Sequence, residues 1–488
     1  MTHHAAMSPA RLFVAFIFLA LTGGVCAAPT ARYTLKYTAE DTTMQVALCL
    51  AQAAALVRFE ADEDAPQFLD ALRRDTGLPL TRDDNAWIAR DWRAGECLRY
   101  TAALGRIAAA NRMLRRALTN SDLLVDPQIW LLQAANVDIA QARVELPAGY
   151  AISTPWRRLP SSDGALHFTV PHTPVEWAAR IGIGRFTETS IALEGGVLHV
   201  ALFGEPDAQK SERLLGWLRR VAKAAVSAYG RLALPDVQVL VLPVGAQSEA
   251  VVFGQSTRGQ GNALTLFVDP AQSEAAFNHD WVAVHELSHL FHPYLGDRGA
   301  WLAEGLATYY QNVLRARAGL LTADQAWEQL DHGFTRGRRE THGDSTLEAA
   351  SAQMGEHHDY QRIYWSGTAY WLVVDVELRH ASRNRLSVDE ALRRFDACCL
   401  PSSKHWAPDE FVAKLDALIG SHVFSKRFRE YRARRDFPGL AAPYAALAIH
   451  REGAALRFGE GTAEAGVRDA IMRAAPASPI SNSSAPHR

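Results

Sequence analysis

Residues 285–289 read His-Glu-Leu-Ser-His, so two histidines stand four positions apart with a glutamate beside the first. The motif lies within the apolar stretch 281–291, whose pattern predicts a helix. Residues four apart share one helix face, so His285 and His289 can bind one zinc ion at about 2.0–2.1 Å. Glu286 lies beside that face, where a carboxylate can act as base on a zinc-activated water. The spacing therefore predicts two metal ligands and one catalytic residue.

A catalytic zinc site needs a third protein ligand and one position left open. Glu304 is the candidate, because it is the acidic residue of an otherwise largely apolar helical stretch, residues 300–317. Burying a carboxylate there is costly unless it is paired with a charge or bound to metal. The alternative is an interfacial glutamate that bonds to a nearby arginine. The sequence predicts His285, His289 and Glu304 as the ligands of one zinc ion.

The two motifs together resemble those of the gluzincin zinc metallopeptidases, and most closely their glycyl aminopeptidase family. The resemblance is carried by the motif at 285–289 and by the run Trp-Leu-x-Glu-Gly-x-x-x-Tyr-Tyr at 301–310. It covers residues 211 to about 440. It implies a thermolysin-like catalytic domain, a single zinc ion and hydrolysis of peptide bonds, with a peptide or protein as substrate.

Residues 363–367, Ile-Tyr-Trp-Ser-Gly, are similar to a Tyr-x-Lys-Gly element that these enzymes place opposite the zinc. The resemblance implies that Tyr364 is catalytic and donates a hydrogen bond to the oxyanion formed at the carbonyl. Ser366 stands where a lysine is usual. Tyr360 and Tyr370 are alternatives, and a tyrosine of the core is another interpretation of the same pattern.

Two further positions bear on the ligands and on substrate handling. Thr308 stands where related enzymes often have an aspartate that orients a zinc-bound histidine, so the orienting group comes from elsewhere or is a hydroxyl. His292 is interpreted as a capping residue or a neighbour of the ligands, because a proline follows it and three ligands are already assigned. Together with Ser366, Thr308 motivates an alternative function, a catalytically silent peptidase fold that binds peptides or cell-envelope partners.

An aminopeptidase must hold the free amine of its substrate, and related enzymes do so beside an edge strand that pairs with the peptide. The predicted edge strand is Leu264–Val268, and residues 254–263 before it contain no acidic residue. Aminopeptidase activity is therefore expected from the resemblance alone. Exopeptidase and endopeptidase action both remain open.

The pattern of apolar residues along the chain predicts a multidomain α+β fold, whose helices and strands must position these residues. Short apolar runs with period-two alternation predict a β-rich N-terminal domain over 28–205, with a helix at 66–74. Residues 206–320 are predicted as a thermolysin-like catalytic subdomain with a helix at 211–229, strands at 237–241 and 263–268, an exposed glycine-rich turn at 254–261, and the zinc helix. Residues 321–450 are predicted as a helical subdomain that completes the active site, and 451–488 as a flexible tail. Helices are predicted at 300–317, 361–380, 387–396, 409–419 and 425–434.

Residues 1–27 have the layout of a secretory signal, with Arg11, an apolar run at 12–21 and small residues before Ala27. The run is about half of the ~20 residues that a spanning helix needs, so cleavage is predicted rather than a stable membrane span. We therefore expect an exported protein, periplasmic or extracellular. Outside the signal stand four cysteines, for which three pairings are possible: Cys49, Cys97, Cys398 and Cys399. Cys49 can pair with Cys97, and the adjacent two form either a disulfide or two buried thiols.

The overall composition limits the function class. The chain has 488 residues, of which 48% are hydrophobic and 21% charged, as in globular proteins. Its formal net charge is −2, which argues against nucleic acid as a partner. The sequence carries no signal for the oligomeric state.

Overall fold

The computed structural model describes residues 30–111, 122–204, 206–453 and 455–474, so the predicted signal segment lies outside the described residues. The part before residue 185 is built of strands around one apolar core. Its strands are β1 (Ala31–Thr38), β2 (Thr43–Leu50), β3 (Ala54–Glu60), β4 (Leu69–Arg74), β5 (Thr81–Asp83), β6 (Ala86–Trp92), β7 (Cys97–Ala102), β8 (Leu123–Val125), β9 (Gln133–Ala134), β10 (Ile139–Glu145), β11 (Ala151–Ser153), β12 (Arg157–Leu159), β13 (Leu166–Pro171) and β14 (Ile181–Gly184), and its helices are α1 (Leu104–Ala110) and α2 (Pro127–Trp130). Three sheets result, in the orders β12-β13-β10-β1-β2-β7-β4, β5-β6-β3-β9 and β11-β14-β8. Buried and exposed residues alternate along β1, as expected for a strand with one covered face.

The helix predicted at 66–74 is wrong. Residues 65–67 form a single 3₁₀ turn, and Leu69–Arg74 is strand β4, which pairs antiparallel with β7. The buried end of this strand is held by Arg74, whose Nε and Nη2 donate to the Glu96 carboxylate at 2.7 and 3.0 Å. Pairing with a distant strand thus overrides the local apolar spacing.

The structure forms two disulfides. Cys49 and Cys97 lie directly opposite each other on β2 and β7 and are bonded. The adjacent Cys398 and Cys399 form the second disulfide. Of the three pairings that the sequence leaves open, the structure thus forms the one that joins Cys49 to Cys97 and Cys398 to Cys399.

A second sheet unit follows and carries the motif helix. Its elements are β15 (Thr187–Leu193), β16 (Gly196–Leu202), α3 (Ala208–Val226), β17 (Asp236–Pro243), β18 (Val251–Thr257), β19 (Ala263–Val268), α4 (Glu274–His279) and α5 (Val282–Ser288). The strand order is β15-β16-β17-β19-β18. Residues 187–202 thus belong to this sheet and to its core, although the sequence assigns them to the N-terminal domain.

The edge of this sheet differs from the prediction. The strand at 263–268 is confirmed, but it lies inside the sheet, because residues 251–257 form β18 antiparallel to it. The predicted exposed turn at 254–261 is therefore wrong over its first half. Local glycine and polar content suggests a turn, whereas pairing with β19 on one side and packing against α5 make this segment a strand.

The C-terminal half is helical. Its helices are α6 (Ala300–Arg317), α7 (Ala323–Arg339), α8 (Leu347–Ala352), α9 (Met354–His357), α10 (Tyr360–Ser382), α11 (Val388–Cys399), α12 (Pro408–Ile419), α13 (Val423–Arg432) and α14 (Ala441–Ala445). Each of the five helices predicted from residue 300 onward occurs within three residues of its predicted bounds, whereas the sequence does not predict α7, α8, α9 or α14. The expected fold class, a multidomain α+β protein with a β-rich N-terminal region and a helical C-terminal region, is confirmed.

The stretch predicted as a flexible tail contains folded elements. They are β20 (Ile449–Glu452), β21 (Ala455–Phe458) and α15 (Ala463–Ile471). Val467 and Ile471 are buried in the core of the helical half, and Arg317 Nε donates to the Ile471 carbonyl at 2.9 Å. These buried contacts pack residues 455–474 onto the helical half, and the rest of the predicted tail, residues 475–488, lies outside the described residues. Within the described residues, no helix combines the length and the apolar character that crossing a membrane requires.

Candidate metal centre and active site

The motif helix α5 is short and fully buried. Its first turn is capped by Asp280, whose Oδ1 accepts a hydrogen bond from the Val282 N–H at 2.9 Å. Residues 289–291 continue it as a 3₁₀ turn, so His289 lies one turn beyond His285. The two imidazole centroids are 5.0 Å apart.

The structure brings Glu304 of α6 to the same point. Its Oε2 lies 3.1 Å from His285 Nε2 and 3.6 Å from His289 Nε2. One donor atom from each of the three residues lies within 4.8 Å of the others, close enough to share one ion. Two imidazole nitrogens and one carboxylate are the donor set of catalytic zinc sites, and the three side chains fit that metal.

The Nδ1 atoms of His285 and His289 also have hydrogen-bond partners. His285 Nδ1 lies 2.9 Å from Gln311 Oε1, an acceptor, so this nitrogen carries the proton and Nε2 keeps its lone pair. His289 Nδ1 lies 3.1 Å from His292 Nε2, and His292 Nδ1 donates to the Pro293 carbonyl at 2.7 Å. Both predicted ligands are thereby held in the tautomer that a metal requires.

The charges of the centre suit a cation. Burial raises the pKa of the Glu304 carboxyl, but the imidazoles of His289 and His285 outweigh burial and hold that pKa at about 2. Burial lowers the pKa of His292 to about 3, so this ring is neutral and accepts the bond from His289. Glu304 is thus an anion beside two imidazoles, and a divalent ion requires a deprotonated carboxylate as ligand.

Close packing of α6 and α10 places Tyr364. Gly305 and Gly367 face each other where these helices cross, and a Cβ on either glycine would collide with the opposite backbone. The contact brings the Tyr364 phenol into hydrogen-bond reach of Glu304 and its ring onto His285, at 5.9 Å between centroids. Burial and the charge of Glu304 raise the pKa of Tyr364, so its hydroxyl stays protonated and can donate.

The alternatives to Tyr364 lie elsewhere. Tyr370 is fully buried and donates to the Phe424 carbonyl at 3.1 Å, so it is a core residue. Tyr360 is exposed at the edge of the site, with its ring 6.4 Å from that of Tyr364. Ser366, at the position of the family's lysine, is buried.

Glu286 points from α5 toward strand β18. Ser256 Oγ lies 2.6 Å from the Glu286 carbonyl oxygen and 3.0 Å from its Oε2. On the other side, a Cβ built on Gly254 would lie 2.6 Å from Glu286 Cγ. Burial raises the pKa of the Glu286 carboxyl, which makes it a better proton acceptor than an exposed glutamate.

A cleft of about 520 Å³ opens beside the centre. Trp281, Gln311 and Tyr364 line its end near the donor atoms, and Glu249 and Asp280 are its carboxylates. It is large enough for a side chain or chain end of a peptide. Burial raises the pKa of Asp280 to about 7.

Residues 289–370 match the family model of the M61 glycyl aminopeptidases, and this stretch includes His289, Glu304 and Tyr364. The resemblance to the gluzincin zinc metallopeptidases is confirmed. An aminopeptidase N family protein from Idiomarina loihiensis shares the fold with a TM-score of 0.64 at 14% identity, over 86% of this chain and 78% of its own. The M1 zinc metallopeptidase from Deinococcus radiodurans gives 0.52 at 14% identity, over 84% and 93%. No curated protein matches this chain in sequence. The family match and the shared fold support a zinc peptidase.

Sequence reasoning missed Gln311, Ser256 and Gly254. Gln311 stands seven residues after Glu304, two helical turns along α6, and this spacing could have identified it as the group that replaces the family's aspartate. Gly254 and Ser256 alternate along β18, a signal that is visible only once the segment is known to be a strand.

Proposed function

We propose that this chain is an exported zinc metallopeptidase that hydrolyses peptide bonds, with an aminopeptidase-like mode of substrate binding. One observation carries the proposal. The donors of His285, His289 and Glu304 converge on one point, and the Glu286 carboxylate and the Tyr364 phenol lie beside it.

Zinc held by His285, His289 and Glu304 would polarise the substrate carbonyl and make water more acidic. Glu286 takes a proton from the attacking water and delivers it to the amide nitrogen as the carbon–nitrogen bond breaks. Tyr364 donates a hydrogen bond to the carbonyl oxygen as it gains negative charge. Gln311 and His292 hold the imidazoles so that Nε2 remains a donor to the metal.

The substrate backbone is proposed to pair with β18. Within the described residues, this strand bonds to β19 on one side and lies at the sheet edge on the other, so it can accept an extended peptide as a further strand. Phe253 on β18 and Trp281 at the start of α5 are exposed large side chains near the motif helix. They offer apolar contact area to a bound peptide.

The proposed aminopeptidase mode needs a carboxylate for the free amine. β18 has none, but the cleft beside Tyr364 contains Glu249, just before the strand, and Asp280. Of these two, Glu249 is the proposed partner of a free amine, because Asp280 already accepts a hydrogen bond from the Val282 N–H and lies near Arg315 of the same cleft. The alternative function, a catalytically silent fold that binds peptides, is not favoured, because both proposed proton-handling side chains accompany the three donors.

The decisive experiment replaces Glu286 by Gln. The purified variant should keep one zinc per chain, since the three ligands are unchanged, and should lose turnover of short peptides by about 10²–10⁴-fold. A Glu286→Gln protein with wild-type turnover, or a zinc-loaded wild type that hydrolyses no member of a mixed peptide library, would overturn the proposal. Peptides with free and blocked N-termini separate exopeptidase from endopeptidase action.

Export is proposed from the signal-like residues 1–27 and agrees with the two disulfides, which persist in oxidising compartments. Fractionation of cells followed by N-terminal sequencing tests it. A mature protein outside the cytoplasm that begins after Ala27 is expected, and an uncleaved cytoplasmic chain would contradict it.

A further inference from the structure

Strand β18 and Arg258, which follows it, contact the motif helix α5 along its length. Gly254, Ser256 and Arg258 alternate in sequence, so their side-chain positions share one face. Gly254 lies against Glu286 and Val282, and Ser256 donates a hydrogen bond to Glu286. Arg258 donates from Nη2 to the carbonyls of His289 at 2.6 Å and His292 at 3.3 Å. One face of this strand therefore contacts the proposed base, Glu286, through Ser256. It contacts the end of the motif helix through Arg258.

Ser256 makes the contact that matters for the base. Its hydroxyl has one proton and two acceptors within reach, the Glu286 main-chain carbonyl at 2.6 Å and Oε2 at 3.0 Å. The single proton is shared between these two acceptors in a three-centre bond, which holds the hydroxyl on the main chain of the helix and the carboxylate beside it. Gly254, on the same strand face, packs against Glu286 Cγ, so two residues of β18 contact this side chain.

We propose that Ser256 is the positioning residue of the general base, which fixes Glu286 by its Oε2 so that Oε1 handles the proton. The inference rests on the proposed peptidase function. In the reaction, Oε1 accepts one proton from water as the new carbon–oxygen bond forms. It returns that proton to the amide nitrogen as the carbon–nitrogen bond breaks. The Ser256 hydroxyl keeps its own proton throughout, and this side chain acts on the substrate only through Glu286.

A fixed carboxylate matters because proton transfer needs heavy atoms within about 2.6–3.2 Å. A glutamate without this bond can rotate about its terminal torsion, which is broad, and so lose the geometry in part of the population. We therefore expect Ser256→Ala to lower kcat about 10-fold or more. KM should change less than about twofold, since the substitution removes only the side-chain hydroxyl and leaves the β18 main chain, which is proposed to pair with the substrate, in place.

Two variants separate positioning from stability. Ser256→Thr keeps the hydroxyl in a residue that strands accept, and it should restore most of the lost kcat. Ser273→Ala is the matched control, because Ser273 caps α4 through a hydrogen bond to the Ala276 N–H at 3.1 Å and is exposed. It removes a serine hydroxyl from the same unit, should lower stability by a comparable amount and should leave kcat unchanged.

The experiment measures kcat, KM, zinc per chain and melting temperature for the wild type and the three variants on one peptide. A fall in kcat for Ser256→Ala, with one zinc retained and recovery in Ser256→Thr, supports the assignment. Three results would overturn it: full-rate Ser256→Ala, no recovery with threonine, or loss of zinc along with activity. A zinc-loaded wild type without turnover refutes the peptidase proposal itself, whereas an active wild type with a full-rate Ser256→Ala refutes only the role of Ser256.

Discussion

Gly254 is the residue of β18 whose replacement tests most directly how the sheet edge positions the base. A Cβ at this position would lie 2.6 Å from Glu286 Cγ and 2.6 Å from Val282 Cγ1. Carbon atoms in contact normally sit about 3.5–4.0 Å apart. Gly254→Ala must therefore push the strand and the helix apart, or move the Glu286 side chain, by about 1 Å.

A displacement of about 1 Å at a catalytic group can cost about 100-fold in rate. We expect Gly254→Ala to lower kcat for peptide hydrolysis by about that factor. The zinc content should stay at one per chain, because the ligands on α5 and α6 are not the groups displaced. The same clash also destabilises the fold, so the melting temperature of each variant is measured and kcat is compared at a temperature where both variants are folded.

Steady-state hydrolysis of one peptide, with metal analysis of the same samples, measures the effect. Gly245→Ala is the matched control, because a Cβ there meets no atom within 4 Å. It should behave like the wild type. If Gly254→Ala keeps kcat within a fewfold of the wild type, or if both variants lose activity equally, close approach of β18 to the base is not what positions it.

Three further outcomes are expected. Tyr364→Phe keeps the ring but removes the phenol, so kcat should fall about 10²–10³-fold in the same assay, and a full-rate variant would remove Tyr364 from the mechanism. Gln311→Leu removes the acceptor of the His285 Nδ1 proton and should weaken zinc binding about 10–100-fold in chelator competition; unchanged affinity would show that the amide does not orient the ring. Hydrogen bonds from Arg74 lower the pKa of the buried Glu96 carboxyl from 4.5 to about 2. The ionised carboxylate therefore stabilises the folded state fully above pH 4.5, and this stabilisation is lost as the pH falls through about 2. Glu96→Gln should therefore reduce the free energy of unfolding by about 3 kcal/mol at pH 7, measured by denaturant titration, and a difference that persists at pH 2 or below would contradict the assignment.

The sequence by itself determined the centre of this site. Spacing along one helix is a local property, so the four-residue interval between His285 and His289 places both rings on one face whatever surrounds the helix. The lone acidic position in the stretch 300–317 singled out Glu304 in the same way. Five helices of the helical half follow a period of 3.6 residues clearly enough for the sequence to predict their bounds to within three residues.

Tertiary structure decided which residues surround that centre. Whether 251–257 is a turn or an edge strand depends on pairing with β19 and packing against α5, and neither is encoded in the segment's own pattern. The same holds for residues 69–74, where pairing with β7 makes a strand from a stretch with helical spacing. The roles of Ser256 and Gly254 follow from the first of these pairings. Residues distant in sequence meet only when the sheet forms, so the sequence predicted the three candidate metal ligands, while the fold placed beside Glu286 the residues proposed to position it.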